Sequence, residues 1–290
     1  MPWAREQTRG MKLIVTGARG GLGRAFVAGL GSHHDVSAFG HEDLDIGDHA
    51  AVMAAVLETA PHAIVNLAAF TRVDDCEIDE GTAFRVNALG PQSLALAARE
   101  VGATLLHVST DYVFEGEKDA PYDELDEPRP LSVYGRAKLA GERAVREQLP
   151  ASFVVRTGYV FGGGRDYLTG AARRLAAGDP AGGLADRVGS PTYVRHLAER
   201  LIPLLLTMRF GTYHLAGPEP ATWFEVLGRL KTAGGLAGDV TPQRSDELGL
   251  AAARPAYSAM SSLMLPGLPV LPMPSLDDAL AGFLGSVRIG

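Results

Sequence analysis

The sequence predicts an α/β protein built on a doubly wound parallel sheet, with a smaller C-terminal lobe interleaved with the sheet domain. Three observations lead to this prediction. Short apolar runs alternate with helical patterns, glycines cluster directly after the first apolar run, and the alternation becomes irregular after about residue 160. Because 46% of the 290 residues are hydrophobic, the chain is long and apolar enough to bury a sizeable core.

Short β-rich runs are the predicted strands of this sheet, at 12–16, 36–39, 63–67, 104–109 and 152–156. Helical apolar patterns separate the runs, at 22–30, 50–58, 81–101 and 134–147. Apolar runs of about five residues that alternate with helices are typical of βαβ units, in which helices cover both faces of a parallel sheet.

The C-terminal part of the chain contains glycine clusters and a proline-rich segment at 265–274. A predicted helix at 194–208 and a predicted strand at 212–215 return the chain to the sheet. The sheet domain is therefore predicted to comprise 11–160 and 193–216, and the second lobe 161–192 and 217–290. We expect the proline-rich segment to pack against the second lobe.

Charge and composition exclude several classes of partner. The 27 basic and 34 acidic residues give a net charge of −7, without a basic run, so neither nucleic acid nor an acidic lipid surface is a predicted partner. No apolar stretch approaches the roughly 18 residues that span a bilayer, so no membrane is expected. The one cysteine, Cys76, excludes an intramolecular disulfide and indicates a reducing compartment, the cytoplasm. Residues 1–10 lack the apolar core of a secretory signal and are interpreted as a polar leader outside the fold.

A glycine-rich turn, GARGGLG at 17–23, follows the first predicted strand and precedes a predicted helix. Glycines there permit a tight turn and a close approach of the backbone to a pyrophosphate, and the helix N-terminus attracts its negative charge. The spacing alone is weak in a chain with 35 glycines, and a turn without a ligand is the alternative. The strand-to-helix context favours a Rossmann-like dinucleotide site at Gly17, Arg19, Gly20, Gly21, Leu22 and Gly23.

The end of the second predicted strand bears on the choice of dinucleotide. It reads Phe39-Gly40-His41, without the acidic residue that usually binds the 2′-hydroxyl of NAD. Arg19 and His41 can instead meet a 2′-phosphate, which favours NADP(H) as the cofactor, with NAD(H) as the alternative. In that alternative, Arg19 is solvated and Glu42 or Asp43 binds the ribose. Asp45 and Ile46 are expected to flank the adenine.

A tyrosine and a lysine, Tyr134 and Lys138, are four residues apart at the start of a predicted helix and therefore share one face. A tyrosine titrates near about 10, and a nearby lysine charge is expected to lower that pKa and make Tyr134 a general acid and base. Thr110, in the loop after the fourth strand, supplies a hydroxyl for a carbonyl oxygen. The structural alternatives are a surface tyrosine, a solvated lysine and a turn-capping threonine, but their combination at these positions favours catalysis.

These motifs together resemble the dTDP-4-dehydrorhamnose reductase family of the extended short-chain dehydrogenase/reductases. The resemblance covers nearly the whole chain from Met11. It is carried by VTGARGGLG at 15–23, LDI at 44–46, NLAAFTRVDDCE at 66–77, VNALGP at 86–91, HVSTDYVFEG at 107–116, PYDELDEPRPLSVYGRAKLAGE at 121–142, RTGYVFG at 156–162, GSPT at 189–192 and ARPAYS at 253–258.

The resemblance implies a fold, a reaction and a set of contacts. It implies that NAD(P)H reduces the 4-keto group of a dTDP-linked 6-deoxyhexulose, that Tyr134 donates the proton, that Lys138 holds the ribose and that Thr110 positions the carbonyl. The second lobe is then a substrate-binding lobe, and the protein acts as a monomer or homodimer. The implied cofactor contacts are Gly20, Gly21, Leu22, Asp45, Ile46, Ala68, Ala69, Phe70 and Lys138, and the implied substrate contacts are Thr110, Asp111, Tyr134 and Tyr159.

The chain departs from the family pattern at positions where the substrate is expected. Tyr159 stands where a tryptophan is frequent, and Arg187 follows Asp186 where the family pattern has glutamine. These departures leave a reductase or epimerase of another nucleotide sugar as the alternative. A non-catalytic NADP-binding regulatory subunit is a further alternative, although it would not need Tyr134. Because Ala25 replaces the acidic residue that some members use in a metal-bridged dimer, no metal is predicted.

Overall fold

The structure is a computed structural model and describes residues 10–286. The predicted leader at 1–10 lies outside the described residues except for Gly10. Within the described part of the chain, no helix has the length and apolar character needed to cross a membrane.

Twelve strands are found among these residues. In chain order they are β1 Lys12–Thr16, β2 Asp35–Phe39, β3 Ala63–Asn66, β4 Thr104–Thr110, β5 Ser152–Thr157, β6 Val160–Phe161, β7 Ala181–Leu184, β8 Val188–Gly189, β9 Thr192–Tyr193, β10 Gly211–His214, β11 Ala221–Thr222 and β12 Val240–Gln243.

The α-helices of the described residues lie between these strands. In chain order they are α1 Gly21–Leu30, α2 His49–Thr59, α3 Val73–Ile78, α4 Glu80–Phe84, α5 Gly90–Val101, α6 Val133–Gln148, α7 Tyr167–Ala176, α8 Val194–Leu206, α9 Trp223–Gly234 and α10 Leu276–Ser286.

Six parallel strands form the central sheet, in the order β10-β5-β4-β3-β1-β2. The predicted strands, including the return strand at 212–215, are confirmed with their ends within one residue of those observed. The strand order reverses beside β1, between β1 and β3, and ligands bind α/β sheets at such a reversal, outside the carboxyl ends of the strands.

The central strands are buried on both faces because helices pack on each side. Leu13 and Val15 of β1 contribute to a core with α1 and α8, whereas Ile14 contributes to a second core with α2, α5 and α6. This arrangement explains why the strands have continuous apolar runs instead of an alternating pattern. The predicted Rossmann-like, doubly wound parallel sheet is confirmed.

The predicted continuous helix at 81–101 is interrupted. A π-helical turn at 85–89 separates α4 from α5. Pro91, in the first turn of α5, has no N–H group to donate to the carbonyl of Asn87. A Cβ at Gly141 of α6 would lie 2.2 Å from that same carbonyl oxygen, so the turn also packs closely against the neighbouring helix.

A third apolar cluster joins α7, α9 and α10 within the predicted second lobe and includes Phe161, Leu227 and Phe283. The exact division of the chain into two lobes stays a prediction. One expectation about it is wrong: the proline-rich segment packs against the sheet domain, since Leu268 and Val270 contact the core that contains α8. The guanidinium of Arg200 on α8 donates to the carbonyl oxygens of Leu271 (3.2 Å) and Pro272 (2.7 Å). Both carbonyls belong to the proline-rich segment, which forms neither a strand nor a helix.

Candidate active site

A cleft of about 1000 Å³ opens at the carboxyl ends of β1, β3, β4 and β5. The predicted site residues all line this one cleft, although they come from distant parts of the chain. They are Gly17, Arg19, Gly20, Gly21, Leu22, Gly23, His41, Asp45, Ile46, Ala68, Ala69, Phe70, Thr110, Asp111, Tyr134, Lys138 and Tyr159.

The glycine-rich turn has the geometry that a pyrophosphate requires. Gly17 has a positive φ of 70°, and a Cβ there would lie 2.5 Å from the backbone nitrogen of Ala68. A Cβ at Gly23 would lie 2.2 Å from the carbonyl oxygen of Gly17. Helix α1 has neither a side-chain cap at Gly20 nor an acidic residue in its first turn. Its first N–H groups therefore remain free of side-chain acceptors, and the turn fits a dinucleotide.

Arg24 ties this turn to the far wall of the cleft. Its guanidinium donates to the carbonyl oxygens of Arg19 (2.5 Å) and Gly163 (2.6 Å). Gly163 also approaches Gly21 closely, because a Cβ at Gly21 would lie 2.8 Å from the Cα of Gly163. The segment after β6 is thereby held against the N-terminus of α1.

Two arginines at the end of the cleft near β2 are paired with carboxylates. Arg19 contacts Glu42 at 2.9 Å and Asp43 at 2.8 Å, and its side chain is 62% exposed. Arg85, which the sequence analysis did not single out, contacts Asp45 at 2.6 Å. Arg19, Glu42 and Asp43 therefore form one cluster. The same cluster contains the residues named for NADP(H) and for the NAD(H) alternative.

Helix α6 carries Tyr134 and Lys138 into the cleft. The Ser132 side chain caps the helix by accepting a hydrogen bond from the backbone N–H of Gly135 at 3.1 Å. A Cβ at Gly135 would lie 2.2 Å from the carbonyl oxygen of Tyr112, so a glycine is needed for α6 to approach the loop after β4. Tyr134 and Lys138 are both buried, which excludes the surface alternatives for them.

Thr110 and Asp111 lie beside Tyr134 at the end of β4. The Thr110 hydroxyl accepts a hydrogen bond from the backbone N–H of Tyr112 (3.2 Å) and donates to Asp111 Oδ1 (3.0 Å). Asp111 Oδ2 accepts a hydrogen bond from Ser258 of the C-terminal part of the chain at 2.6 Å. Thr110 thus caps a turn, as the structural alternative states, and lines the cleft as well.

Burial dominates the electrostatics of these groups. It raises the pKa of Tyr134 well above its ordinary value of 10, and it raises the pKa of Asp111 to about 6. Burial also lowers the pKa of Lys138 to about 8. The loss of solvation therefore outweighs the neighbouring groups in the pKa of Tyr134, and the effect of Lys138 on that pKa stays a prediction. Lys138 Nζ donates to the carbonyl oxygen of Val108 at 2.7 Å.

An aromatic pair forms the opposite wall of the cleft. Tyr159 has a positive φ of 47°, which is strained for a residue with a Cβ, and its ring stacks on Trp223 with centroids 4.9 Å apart and planes 3° apart. A Cβ at Gly189 would lie 2.4 Å from the Tyr159 ring, so β8 supports that ring closely. Trp223 could not be assigned to the site from the sequence, because nothing in its neighbourhood links it to Tyr159.

Other cleft residues were also missed by the sequence analysis. Those with polar or charged side chains are Arg24, Thr71, Arg72, Thr82, Arg85, Ser109, Tyr112, Thr157, Arg165 and Asp166. Their sequence neighbourhoods carry no recognisable motif beyond the family resemblance. Among the described residues, no group of three or more histidine, cysteine, aspartate and glutamate side chains could hold a metal ion.

Comparison with known proteins agrees with this geometry. The family model described as the RmlD substrate binding domain matches residues 11–289. The chain is 37% identical over 298 residues to a dTDP-4-dehydrorhamnose reductase of Mycolicibacterium smegmatis, covering 99% of this chain and 90% of the relative. It is also 37% identical over 275 residues to a probable dTDP-4,6-dihydroxy-2-methyloxan-3-one 4-ketoreductase of Streptomyces antibioticus, covering 93% of each chain.

A solved structure is similar over almost its whole length. It is the dTDP-4-dehydrorhamnose reductase of Bacillus anthracis in complex with NADP, with a TM-score of 0.92, 35% identity, and coverage of 96% of this chain and 99% of that one. The family resemblance of the sequence is thereby confirmed. The chain belongs to the dTDP-4-dehydrorhamnose reductase family and is an NAD(P)H-dependent oxidoreductase of that type.

Proposed function

We propose that this protein reduces the 4-keto group of a dTDP-linked 6-deoxyhexulose, with dTDP-4-dehydrorhamnose as its substrate and NADPH as its reductant. The observation that carries the proposal is the single cleft that joins a dinucleotide-binding turn to Tyr134, Lys138 and Thr110. The names of the relatives and the NADP bound by the similar structure support the substrate and the cofactor.

Tyr134 acts in this proposal as the proton donor. Because burial raises its pKa, the hydroxyl is protonated at neutral pH and can donate to the substrate's carbonyl oxygen as that oxygen gains charge. When bound, the dinucleotide supplies the hydride. The hydroxyl of Thr110 orients the same carbonyl oxygen, and Lys138 holds the nicotinamide ribose with its amino group.

The free N–H groups of α1 bind the pyrophosphate, and Asp45 and Ile46 flank the adenosine. Asp111 and Tyr159 contact the sugar nucleotide from the opposite side. In the proposed division of the chain, the lobe formed by 161–192 and 217–290 binds the substrate. Apolar walls around Tyr134 exclude water from the reacting atoms, which strengthens each hydrogen bond made there.

A reductase of another dTDP-linked keto sugar is the second candidate. The aromatic pair of Tyr159 and Trp223 favours it, because the family pattern frequently has a tryptophan at 159 and the pair changes the shape of the substrate wall. One relative with the same identity is named as a 4-ketoreductase of a different dTDP-linked compound.

The proposal is tested by incubating the purified protein with NADPH and enzymatically prepared dTDP-4-dehydrorhamnose, and by following the loss of NADPH absorbance. We expect turnover and dTDP-rhamnose as the product. Turnover restricted to another 4-keto sugar nucleotide would support the second candidate. If no keto sugar is turned over while NADPH still binds, the proposal fails and the protein is a regulatory, NADP-binding subunit. A C4 epimer without net NADPH loss would indicate an epimerase.

A further inference from the structure

His107 lies buried between the side chains of Lys138 and Asn66. It is on β4 with no exposed surface. Its Nδ1 lies 2.9 Å from Asn66 Nδ2 on β3, and its Nε2 lies 3.4 Å from Lys138 Nζ on α6. Each ring nitrogen therefore faces one defined partner.

Asn66 determines which ring nitrogen of His107 carries the proton. The backbone N–H of Ala68 donates to Asn66 Oδ1 at 3.1 Å, and the Thr16 hydroxyl donates to the same oxygen at 2.7 Å. Because a backbone N–H can only donate, the amide oxygen is fixed on that side and the amide NH₂ must face His107. Nδ1 of His107 therefore accepts a hydrogen bond, and in a neutral ring the proton is on Nε2.

The Nε2–H group consequently points at Lys138 Nζ. An ammonium group has no lone pair and cannot accept this hydrogen bond, whereas a neutral amine can. Lys138 Nζ donates on its other side to the carbonyl oxygen of Val108. A neutral Lys138 amine can donate to the carbonyl oxygen of Val108 and accept from His107 Nε2–H. A charged Lys138 can only donate, so its N–H groups face the N–H group of His107 without an acceptor between them.

The remaining groups around Lys138 only partly oppose this effect. Glu142, one turn further along α6, favours the ammonium form. Its carboxylate is already held by Arg156 of β5, with contacts of 2.7 to 3.2 Å, and Arg156 in turn contacts His214 of β10. Tyr134 on the same helix is uncharged at neutral pH. The positive charge of Arg156 therefore offsets much of the carboxylate's attraction for Lys138.

We propose that His107 is a positioning residue that disfavours the ammonium form of Lys138 and thereby sets the pH at which the catalytic lysine loses its proton. The consequence for catalysis rests on the proposed function, whereas the tautomer of His107 does not. Burial keeps His107 itself neutral, since its pKa lies well below the ordinary value of 6.5, and this supports the fixed tautomer.

The tautomer is tested directly by ¹⁵N-detected NMR of the histidine side chains in the full chain. We expect His107 to be protonated at Nε2 throughout the neutral range. His214 is an internal control with the opposite tautomer, because its Nδ1 faces the carbonyl oxygens of Tyr122 (3.1 Å) and Ser261 (3.0 Å) and must donate. Loss of one signal in His107→Gln identifies the residue. Protonation of His107 at Nδ1, or at both nitrogens, would overturn the proposal.

The effect on Lys138 is tested with Asn66→Asp. A carboxylate keeps the bonds from Thr16 and Ala68 but cannot donate to His107, so the histidine proton moves to Nδ1 and Nε2 becomes an acceptor for the ammonium. The change of tautomer and the added negative charge act in the same direction, and we expect the pKa of Lys138, followed by ¹³C NMR of the four lysines, to rise by about one unit. His107→Phe removes the opposing N–H without adding a charge, so a rise in the pKa of Lys138 in this variant is due to the loss of the N–H group, and the absence of a rise would overturn the proposal.

Thr16→Val is the matched control, because the backbone N–H of Ala68 still fixes Asn66 in this variant and the pKa of Lys138 should not change. In the active enzyme, the limb of the pH–kcat/KM profile assigned to Lys138 should shift with the NMR value. A uniform loss of activity without any shift in Lys138 would show that His107 is merely structural. If the proposed substrate is not turned over, both NMR measurements remain decisive.

Discussion

The hydroxyl of Tyr134 is the atom on which the proposed chemistry depends most. Tyr134→Phe removes this proton donor and leaves the ring in its pocket against Tyr112, whose centroid is 5.8 Å away. We expect kcat to fall by about 10²–10⁴-fold, the usual contribution of a general acid. The affinity for NADPH, measured by fluorescence titration, should remain close to that of the parent protein.

Tyr213→Phe is the control for this substitution. It removes a buried tyrosine hydroxyl that donates to the carbonyl oxygen of Arg209, outside the cleft. Its activity should be close to normal. If Tyr134→Phe retained full turnover, another group would have to donate the proton.

Asp111 is predicted to lower the free energy of unfolding at neutral pH, because its carboxylate is buried in the site. Its pKa rises from 3.8 to about 6 on folding, so the folded state binds the proton more tightly. The destabilising effect is therefore absent below about pH 4 and complete above about pH 6. Asp111→Asn should increase the free energy of unfolding by about 2 kcal/mol at pH 8.

Urea denaturation at several pH values tests this prediction. The gain in Asp111→Asn should shrink as the pH falls from 6 and vanish near pH 4, while turnover is reduced at every pH. A gain that did not depend on pH would show that the buried charge is not its cause.

At the scale of elements, two glycines of α1 differ in whether a larger side chain would fit, namely Gly23 and Gly29. A Cβ at Gly23 would collide with the carbonyl oxygen of Gly17 at 2.2 Å, whereas a Cβ at Gly29 meets nothing within 4 Å. Gly23→Ala should destabilise the protein by about 1–3 kcal/mol and weaken NADPH binding. Gly29→Ala, in the same helix, should stabilise it by about 0.5–1 kcal/mol and leave binding unchanged. Equal effects of the two variants on NADPH affinity would contradict the assigned role of the turn.

We expect the loops after β1 and β2 together to determine the preference between NADPH and NADH. Arg19 is paired with both Glu42 and Asp43 in an exposed position, so Glu42→Gln removes one of its two carboxylate partners and should make the guanidinium more available to a 2′-phosphate. We expect the ratio of kcat/KM for NADPH to that for NADH to rise about fivefold, within the range of an exposed ion pair. Glu58→Gln removes the same charge from the exposed face of α2 and should not change the ratio. A falling ratio in Glu42→Gln would indicate that Arg19 does not meet the 2′-phosphate.

The strands could be predicted from the sequence because a strand buried on both faces is a short apolar run. Leu13, Ile14 and Val15 are all fully buried, and the run ends where the glycines begin. The interruption at 85–89 is predictable only in part, because Pro91 is visible in the sequence whereas the close approach of Gly141 from another helix is not. Element boundaries set by local sequence are thus recoverable, and those set by tertiary contacts are not.

At the scale of the whole molecule, contacts between residues far apart in the sequence hold the parts of the fold together. Asp74 of α3 accepts hydrogen bonds from both terminal nitrogens of Arg254, at 2.7 and 3.1 Å. The position of the proline-rich segment likewise depends on Arg200. The tyrosine and lysine of the site were found because one helix turn separates them. The partners Trp223, Arg254 and Ser258 could not be assigned to the site from sequence spacing, since only the folded chain brings them there.

The proposed division into a cofactor domain and a substrate lobe makes a prediction about Trp223. This residue begins α9, in the part of the chain assigned to the substrate lobe, and it stacks on Tyr159 in the same wall of the cleft. Trp223→Leu removes the stacked ring but keeps an apolar side chain there. We expect the KM for the sugar nucleotide to rise about fivefold, as for the loss of roughly 1 kcal/mol of aromatic stacking. The affinity for NADPH should stay constant, because the dinucleotide-binding turn lies on the opposite wall.

Phe224→Leu is the matched control, since it makes the same kind of aromatic-to-aliphatic change at the next position, which does not line the cleft. If Trp223→Leu weakened NADPH binding as much as substrate binding, the two ligands would share this wall and the division into two lobes would be wrong.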